Sequence, residues 1–218
     1  MTPRIKAMPT PFYRDHIYPF LVRRLGNPEP IRKIRERVIP LAQGTVLEVG
    51  VGSGANFVHY RPTRVSKLFA LEPNPGMIQR ARRQQLGLEL DVEYIHLPGE
   101  RIPLNDGTVD SVVSTFTLCT VDAVQDVVDE MRRVLKPNGR LIFIELGKSP
   151  DLSVQRWQKR LNPVVHWMYA GLRLTRDIPS MVTQGGFKVE QMDEGYLSEF
   201  PKALTYCWWG TAVAQLQE

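Results

Sequence analysis

Two cysteines, Cys119 and Cys207, are all that 218 residues contain. That scarcity argues against a disulfide framework and makes a reducing cytoplasm the default setting. Long apolar runs are missing too. No stretch nears the roughly 20 residues of a spanning helix, and Arg, Lys, Asp and Pro interrupt every apolar run in the first thirty residues. A transmembrane segment and a cleaved leader are therefore not expected. Neither an internal repeat nor a low-complexity segment is present, which removes solenoids and disordered tracts. The four histidines are scattered and bring no metal-ligand spacing with them, so no metal site is expected.

What is present suits one globular domain: 43% hydrophobic and 23% charged residues over a length that can bury a substantial core. The formal charge of +5 favours anionic partners, but the basic residues are spread along the chain, so nucleic acid is not indicated. Oligomeric state is left open. Residues 1–42 read as a helical lid, with Ile17, Phe20, Leu21, Ile31, Ile34 and Val38 as apolar positions and Pro19, Pro28 and Pro30 as punctuation. From residue 45 short β-branched runs alternate with helix-compatible stretches. Strands are predicted within 45–51, 68–73, 92–97, 109–116 and 140–146, and helices over 74–86 and 122–135, the second closed by Lys136, Pro137, Asn138 and Gly139. This alternation predicts an α/β fold with a mostly parallel, Rossmann-like sheet and helices on both faces. Residues 45–146 form its cofactor-binding core; a mixed region, 154–181, and terminal strands then make up an acceptor side, 147–218.

The chemistry is concentrated at strand ends. Gly50, Gly52 and Gly54, with Ser53, follow the first strand and lead into a helix-compatible run from Ala55, where glycines let the chain turn and a ligand approach the backbone. The spacing of Gly50, Gly52 and Ala55 also admits the dinucleotide pattern. Glu48 weighs against that option. A carboxylate just before the glycines suits a cationic amino-acid tail and would repel a pyrophosphate. Glu72 ends the next strand, 18 residues beyond Gly54, where it would accept hydrogen bonds from both hydroxyls of a ribose. Gly99 and Glu100, after the third strand, form a turn that suits an adenine edge.

The segments VLEVGVGSGANF, LEPNPGM and the stretch from DGTVDSVVSTFTLCTV to EMRRVLKPNGRLIFIE resemble the class I methyltransferases related to ubiquinone and menaquinone biosynthesis, including thiol S-methyltransferases. The resemblance covers about residues 45–190 and implies the cofactor S-adenosylmethionine. By position it implies that Glu48, Gly50, Gly52, Ser53, Gly54 and Asn56 line the methionine half, and that Glu72 and Pro73 hold the ribose. Met77, Gly99 and Glu100 would flank the adenine, while Thr115, Phe116 and Thr117 would border the sulfonium and the acceptor mouth. The animal thiol methyltransferases begin with a hydrophobic anchor that has no counterpart here, so a membrane contact would be peripheral. Where relatives often carry a Gly-Cys or Asp-Gly-Cys element before Leu-x-Arg, this chain runs from Tyr169 through Ala170 and Gly171 to Arg173 and Arg176. The role of that acid or cysteine does not carry over.

For the acceptor, Tyr13, His16, His166 and Tyr169 are the candidates for proton removal or positioning, because their segments are expected to cover the carboxyl ends of the strands. His59 and His96 read as structural or surface residues, and Cys119 as a small buried hydrophobe. Phe12, Tyr18, Phe20, Trp157, Trp167, Tyr206, Trp208 and Trp209 would line a lipophilic pocket or pack a lid. The leading expectation is methyl transfer to a small, fairly apolar nucleophile, with thiol favoured and nitrogen and oxygen open. Lipid-headgroup methylation at a membrane surface, a nicotinamide-dependent oxidoreductase and a non-catalytic donor-binding protein stand beside it.

Overall fold

The computed structural model describes residues 28–169, 171–197 and 201–215. Tyr13 and His16, with Phe12, Tyr18, Phe20 and most of the expected lid, lie outside the described residues.

Seven strands form one sheet: β1 (Gly44–Val49), β2 (Val65–Leu71), β3 (Val92–Ile95), β4 (Val109–Thr115), β5 (Leu135–Leu146), β6 (Phe187–Tyr196) and β7 (Tyr206–Ala214). Their order is β3-β2-β1-β4-β5-β7-β6, parallel from β3 to β5 and antiparallel at β5–β7–β6. β1 and β4 are therefore neighbours although two strands separate them in sequence. The chain leaves the sheet on opposite sides of that pair, and such a switch point opens a crevice at the carboxyl ends of the strands.

Helices cover both faces. On one side lie α1 (Glu29–Val38) and α2 (Pro75–Gln85), contributing Ile31, Val38 and Ala81 to a core with Val46, Leu68, Ala70, Val113 and Ile142. On the other, α3 (Val124–Val134) and α5 (Ile178–Gln184) send Val127, Val128, Met131, Ile178 and Val182 against Leu47, Val112, Leu141 and Phe143. Burial on both faces explains why β1, β4 and β5 read as near-continuous apolar runs. Between β5 and α5 lies α4 (Leu152–Met168), so most of the region that reads as mixed is helical. Local chemistry sets the ends. Asn74 caps α2 by accepting from the N–H of Gly76 and Met77, and Asp151 caps α4 through Ser153.

Two expectations are corrected. The run from Ala55 does not form a helix but a single 3₁₀ turn at Phe57–His59. Only seven residues separate Gly54 from Pro62, and proline blocks further helical hydrogen bonding. Strand β5 begins at Leu135 rather than 140: Leu135 pairs with Val109, the register shifts, and pairing resumes at Arg140 with Ser111. Asn138, at φ 62°, makes that local turn inside the strand.

Candidate active site at the β1–β4 switch point

The crevice is a cavity of about 400 Å³, a volume within the range of small-molecule sites. Twelve of the fourteen residues read as cofactor-binding line it: Glu48, Gly50, Gly52, Ser53, Gly54, Asn56, Glu72, Pro73, Met77, Thr115, Phe116 and Thr117. Gly99 and Glu100 do not. Gly99 is packed into the core, where an added Cβ would lie 3.1 Å from Val49 and 3.2 Å from Val127. His166 and Tyr169 are also off the cavity wall. His166 is half-buried on α4, and Tyr169 is the residue that ends that helix. Trp157 faces outward, 56% exposed, and so does Trp167, while the Trp208 indole donates to the Lys148 carbonyl at 3.2 Å. Among the described residues, Trp157, Trp167 and Trp208 therefore do not assemble into one acceptor pocket.

The glycine loop is shaped by backbone demands that differ along it. Gly50 has φ +73°, and a Cβ there would come 2.2 Å from Thr117 Oγ1, which itself donates to the Val49 carbonyl at 2.9 Å. Gly52 also has positive φ, +55°, but its missing Cβ would meet nothing nearer than a backbone oxygen at 3.9 Å. The first glycine is required by the protein's own packing. The second keeps the loop backbone bare where it lines the cavity. Gly50→Ala is accordingly expected to lower stability by about 2–4 kcal/mol, adding left-handed strain to overlap with Thr117. Gly52→Ala is expected to remain folded, with a loss near 1–2 kcal/mol from strain alone, yet to lose ligand binding. Thermal unfolding beside ligand titration separates the two outcomes.

Both carboxylates are held in place. Glu72 accepts from the Gly52 N–H at 3.0 Å and the Asn74 N–H at 2.9 Å, one on each oxygen, leaving lone pairs for further donors. Burial raises its pKa. Glu48 is fully buried and accepts from Asn56 Nδ2 at 2.8 Å and the Tyr60 hydroxyl at 2.7 Å. Burial pushes its pKa up to about 7, against the opposing pull of those hydrogen bonds and of the Arg35 charge. Asn56 Nδ2 also donates to Thr115 Oγ1 at 2.9 Å, tying β1 to β4. Asn56 Oδ1 is buried with no hydrogen-bond partner among the described residues, an acceptor left for a donor group. Arg35, 4% exposed on the inner face of α1, brings a cation to the same wall, 5.7 Å from the centre of the Phe116 ring. Asn56, Glu48 and Arg35 together suit a zwitterionic amino-acid tail, and Glu72 suits a diol. S-adenosylmethionine carries both groups.

The far end of the cavity is the loop after β4, where Thr115, Phe116, Thr117, Thr120 and Val121 line the wall. Phe116 sits at φ 55°, in a conformation non-glycine residues seldom adopt. Three charged residues outside the cavity fix this loop. Glu145, fully buried at the end of β5, accepts from Ser114 Oγ at 2.8 Å and from the N–H groups of Thr117, Leu118 and Cys119 at 3.1, 3.1 and 3.0 Å. Arg176 donates to the carbonyls of Leu118 and Val121, and Arg173 to those of Thr120 and Val121 at 3.2 and 3.1 Å. One carboxylate holds the loop's N–H groups and two guanidinium groups hold its carbonyls. Cys119 lies fully buried within it, and Glu145 beside it adds to the burial that pushes its thiol pKa well up. That supports the packing reading, since a nucleophilic cysteine needs the thiolate.

Arg35, Tyr60, Glu145, Arg173 and Arg176 escape the sequence reading. Only Arg35 leaves a usable trace: it falls between Ile31 and Val38 on the buried stripe of α1, where a solvated arginine would not sit.

Known proteins agree with this geometry. Residues 47–143 match the family model described as a methyltransferase domain. Rat (Rattus norvegicus) thiol S-methyltransferase TMT1B is 33% identical over 154 residues, 68% of this chain, and the chain spans 62% of that relative's length. A phosphatidylethanolamine N-methyltransferase of Cereibacter sphaeroides is 30% identical over 141 residues, 62% of this chain and 68% of the relative. Among solved structures, the [4+2]-cyclase SpnF superposes with a TM-score of 0.69 at 18-point lower identity than the rat protein, 15%, covering 97% of this chain and 98% of that one. At that identity the match speaks for the fold alone. The matched domain, the two relatives and the seven-stranded sheet agree: the chain belongs to the class I S-adenosylmethionine-dependent methyltransferases.

Proposed function

We propose that this protein transfers a methyl group from S-adenosylmethionine to a small, fairly apolar thiol. The observation that carries the thiol is the composition of the cavity wall: among the described residues it contains no His, Lys, Asp, Cys or Tyr. Its two carboxylates, Glu48 and Glu72, are engaged by protein donors. Among the described residues the wall offers no base beyond these two, which the donor's ammonium and ribose would occupy, and this favours an acceptor that ionises unaided. A thiol, with an unperturbed pKa of about 8.5, does so near neutral pH, whereas a protonated amine or a phenol needs help.

The donor supplies a methyl carbon already activated on a sulfonium, so the protein's task is to align the nucleophile behind it at about 3–3.5 Å. The thiolate sulfur forms the new bond to the methyl carbon, the bond from that carbon to the donor sulfur breaks, S-adenosylhomocysteine leaves, and the thiol proton goes to water. Glu72 would hold the ribose hydroxyls. Asn56 Oδ1 and Glu48 would face the ammonium of the amino-acid tail, and Arg35 its carboxylate. The clamped loop at Thr115–Thr117, Thr120 and Val121 would shape the acceptor mouth. Neither His166 nor Tyr169 has a part in this scheme, and the nicotinamide reading is set aside because Glu48 disfavours a pyrophosphate.

Glu48 also makes donor binding pH-dependent. Burial favours its neutral form, so folding takes up a proton at this site; its contribution to the folded state is full at acid pH and is lost as pH rises through about 7. An arriving ammonium reverses the preference. Below pH 7 binding must release that proton, and affinity is expected to improve by up to about tenfold between pH 6 and pH 8. Calorimetry in buffers of different ionisation enthalpy reads the proton directly.

S-adenosylhomocysteine release with thiols, phenols, primary amines and phosphatidylethanolamine offered separately tests the acceptor. Release with thiols is the expected result. Release with phosphatidylethanolamine alone would transfer the assignment to the chemistry named for the Cereibacter relative. Donor binding without release from any acceptor would favour a non-catalytic role.

A further inference from the structure

Helix α4 has two apolar faces, and only one has a use inside the fold. Val154, Gln158 and Val165 point into the protein. Roughly a quarter-turn away, Trp157 and Val164 lie two turns apart on one line, each 56% exposed, with the half-buried Leu161 between them and the inner face. A stripe of this kind on a solvent face marks an interaction surface. The flanking charge is of one sign: Arg160 and Arg156, both exposed, lie on the same side of the helix as the stripe, and α4 carries no Asp or Glu in its 17 residues. The Arg160 guanidinium lies 5.5 Å from the Trp157 ring centre, which joins the basic rim to the apolar stripe.

We infer that the outer face of α4 is a docking surface for an anionic lipid bilayer. Tryptophan beside arginine suits the headgroup level, with the ring body in the apolar layer and the cations among phosphates. The charge disfavours a second copy of this chain, since a two-fold contact through this face would bring two pairs of arginines together. Single-stranded nucleic acid would use the arginines and Trp157 but leave Val164 and Leu161 without a role. The placement has a functional sense. The segment after α4 runs along the loop that borders the cavity: the Arg173 N–H donates to the Cys119 carbonyl at 2.8 Å, and a Cβ on Gly171 would stand 2.6 Å from the Thr120 carbonyl oxygen. A bilayer against α4 would lie beside the acceptor mouth, where an apolar acceptor dissolved in lipid arrives. No helix among the described residues is long and apolar enough to cross a membrane, so this contact is with the surface.

Co-sedimentation of the full chain with vesicles tests the assignment, comparing phosphatidylcholine alone with phosphatidylcholine plus phosphatidylglycerol at low and high salt. The chain is expected on the anionic vesicles at low salt and largely in solution otherwise. Arg156→Gln with Arg160→Gln is expected to weaken partitioning about thirtyfold. Trp157→Ser with Val164→Ser, at unchanged charge, is expected to weaken it about tenfold or more. None of these positions lines the cavity, so S-adenosylmethionine affinity should stay at the wild-type value in both variants. That readout shows the variants are folded and separates failure here from failure of the donor-site reading. Vesicle binding that both double variants retain in full, or no binding to anionic vesicles at low salt, would overturn the proposal. So would a dimer or an RNA complex that the same substitutions abolish in a chain that ignores vesicles.

Discussion

Glu145→Ala is expected to cost about 4 kcal/mol or more of folding stability, a large share of the 5–15 kcal/mol that a domain of this kind has in total. The figure follows from what the substitution strands. Three N–H groups, of Thr117, Leu118 and Cys119, and the Ser114 hydroxyl lose a common acceptor in a fully buried place. Each unsatisfied buried donor costs about 1–3 kcal/mol, reduced where water enters the cavity left behind. For a chain of this length the melting temperature should fall by about 8–16 °C. Glu145→Gln keeps the shape and one carbonyl acceptor but turns an amide toward an N–H, so it should fall between wild type and alanine. The loop these bonds hold carries Thr117, Thr120 and Val121 to the cavity wall. In the glutamine variant, a catalytic rate that drops by more than the donor affinity would show the clamp positioning the acceptor side. A melting temperature unchanged in the alanine variant would remove the clamp altogether.

Glu72→Ala is expected to weaken S-adenosylmethionine binding by about 1.5–3 kcal/mol, roughly ten- to a hundredfold, through loss of charge-assisted bonds to the ribose. Its second effect is on the loop, because Gly52 and Asn74 lose the acceptors that fix them. Titration of the folded variant, checked by its melting curve, reads the sum. Comparison with adenosine lacking the 2′ and 3′ hydroxyls separates the parts: the wild type should lose affinity for the deoxygenated ligand, and Glu72→Ala should be almost indifferent to it. Equal affinity of wild type and variant would remove the ribose role.

The residues proposed for the donor half are readable because their chemistry is carried by short segments at strand ends. Glu48, the three glycines and Glu72 occupy positions that the alternation of strands and helices already brings to one edge of a parallel sheet. Each also has a residue type that few other roles require together. The acceptor half depends on contacts between distant segments. Glu145 reads in sequence as an odd acid in an apolar strand, and only the fold shows that it is 26 to 31 residues from every group it binds. Arg173 and Arg176 look like ordinary surface bases until the loop they hold is in view. His166 and Tyr169 stand out in the sequence for the opposite reason: they are reactive side chains in a segment near the strand ends. Neither lines the cavity wall, and the buried positions of α4 are taken by Val154, Gln158 and Val165. The Gly99–Glu100 turn lies off the cavity wall, and its glycine has a packing role of its own. Gly99 is small to clear Val49 and Val127, and no adenine edge is needed to explain it. The helix expected after the glycine loop fails on Pro62, whose effect on so short a run outweighs the propensity of the residues before it.

A structure of the chain with S-adenosylhomocysteine bound tests the central claim most directly. The ligand is expected in the cavity between β1 and β4, with its ribose hydroxyls on Glu72, its amino-acid tail against Asn56, Glu48 and Arg35, and its sulfur toward the loop after β4. A ligand found elsewhere, or one in the cavity with Glu72 still bonded to Gly52 and Asn74 alone, would contradict the assignment of these residues.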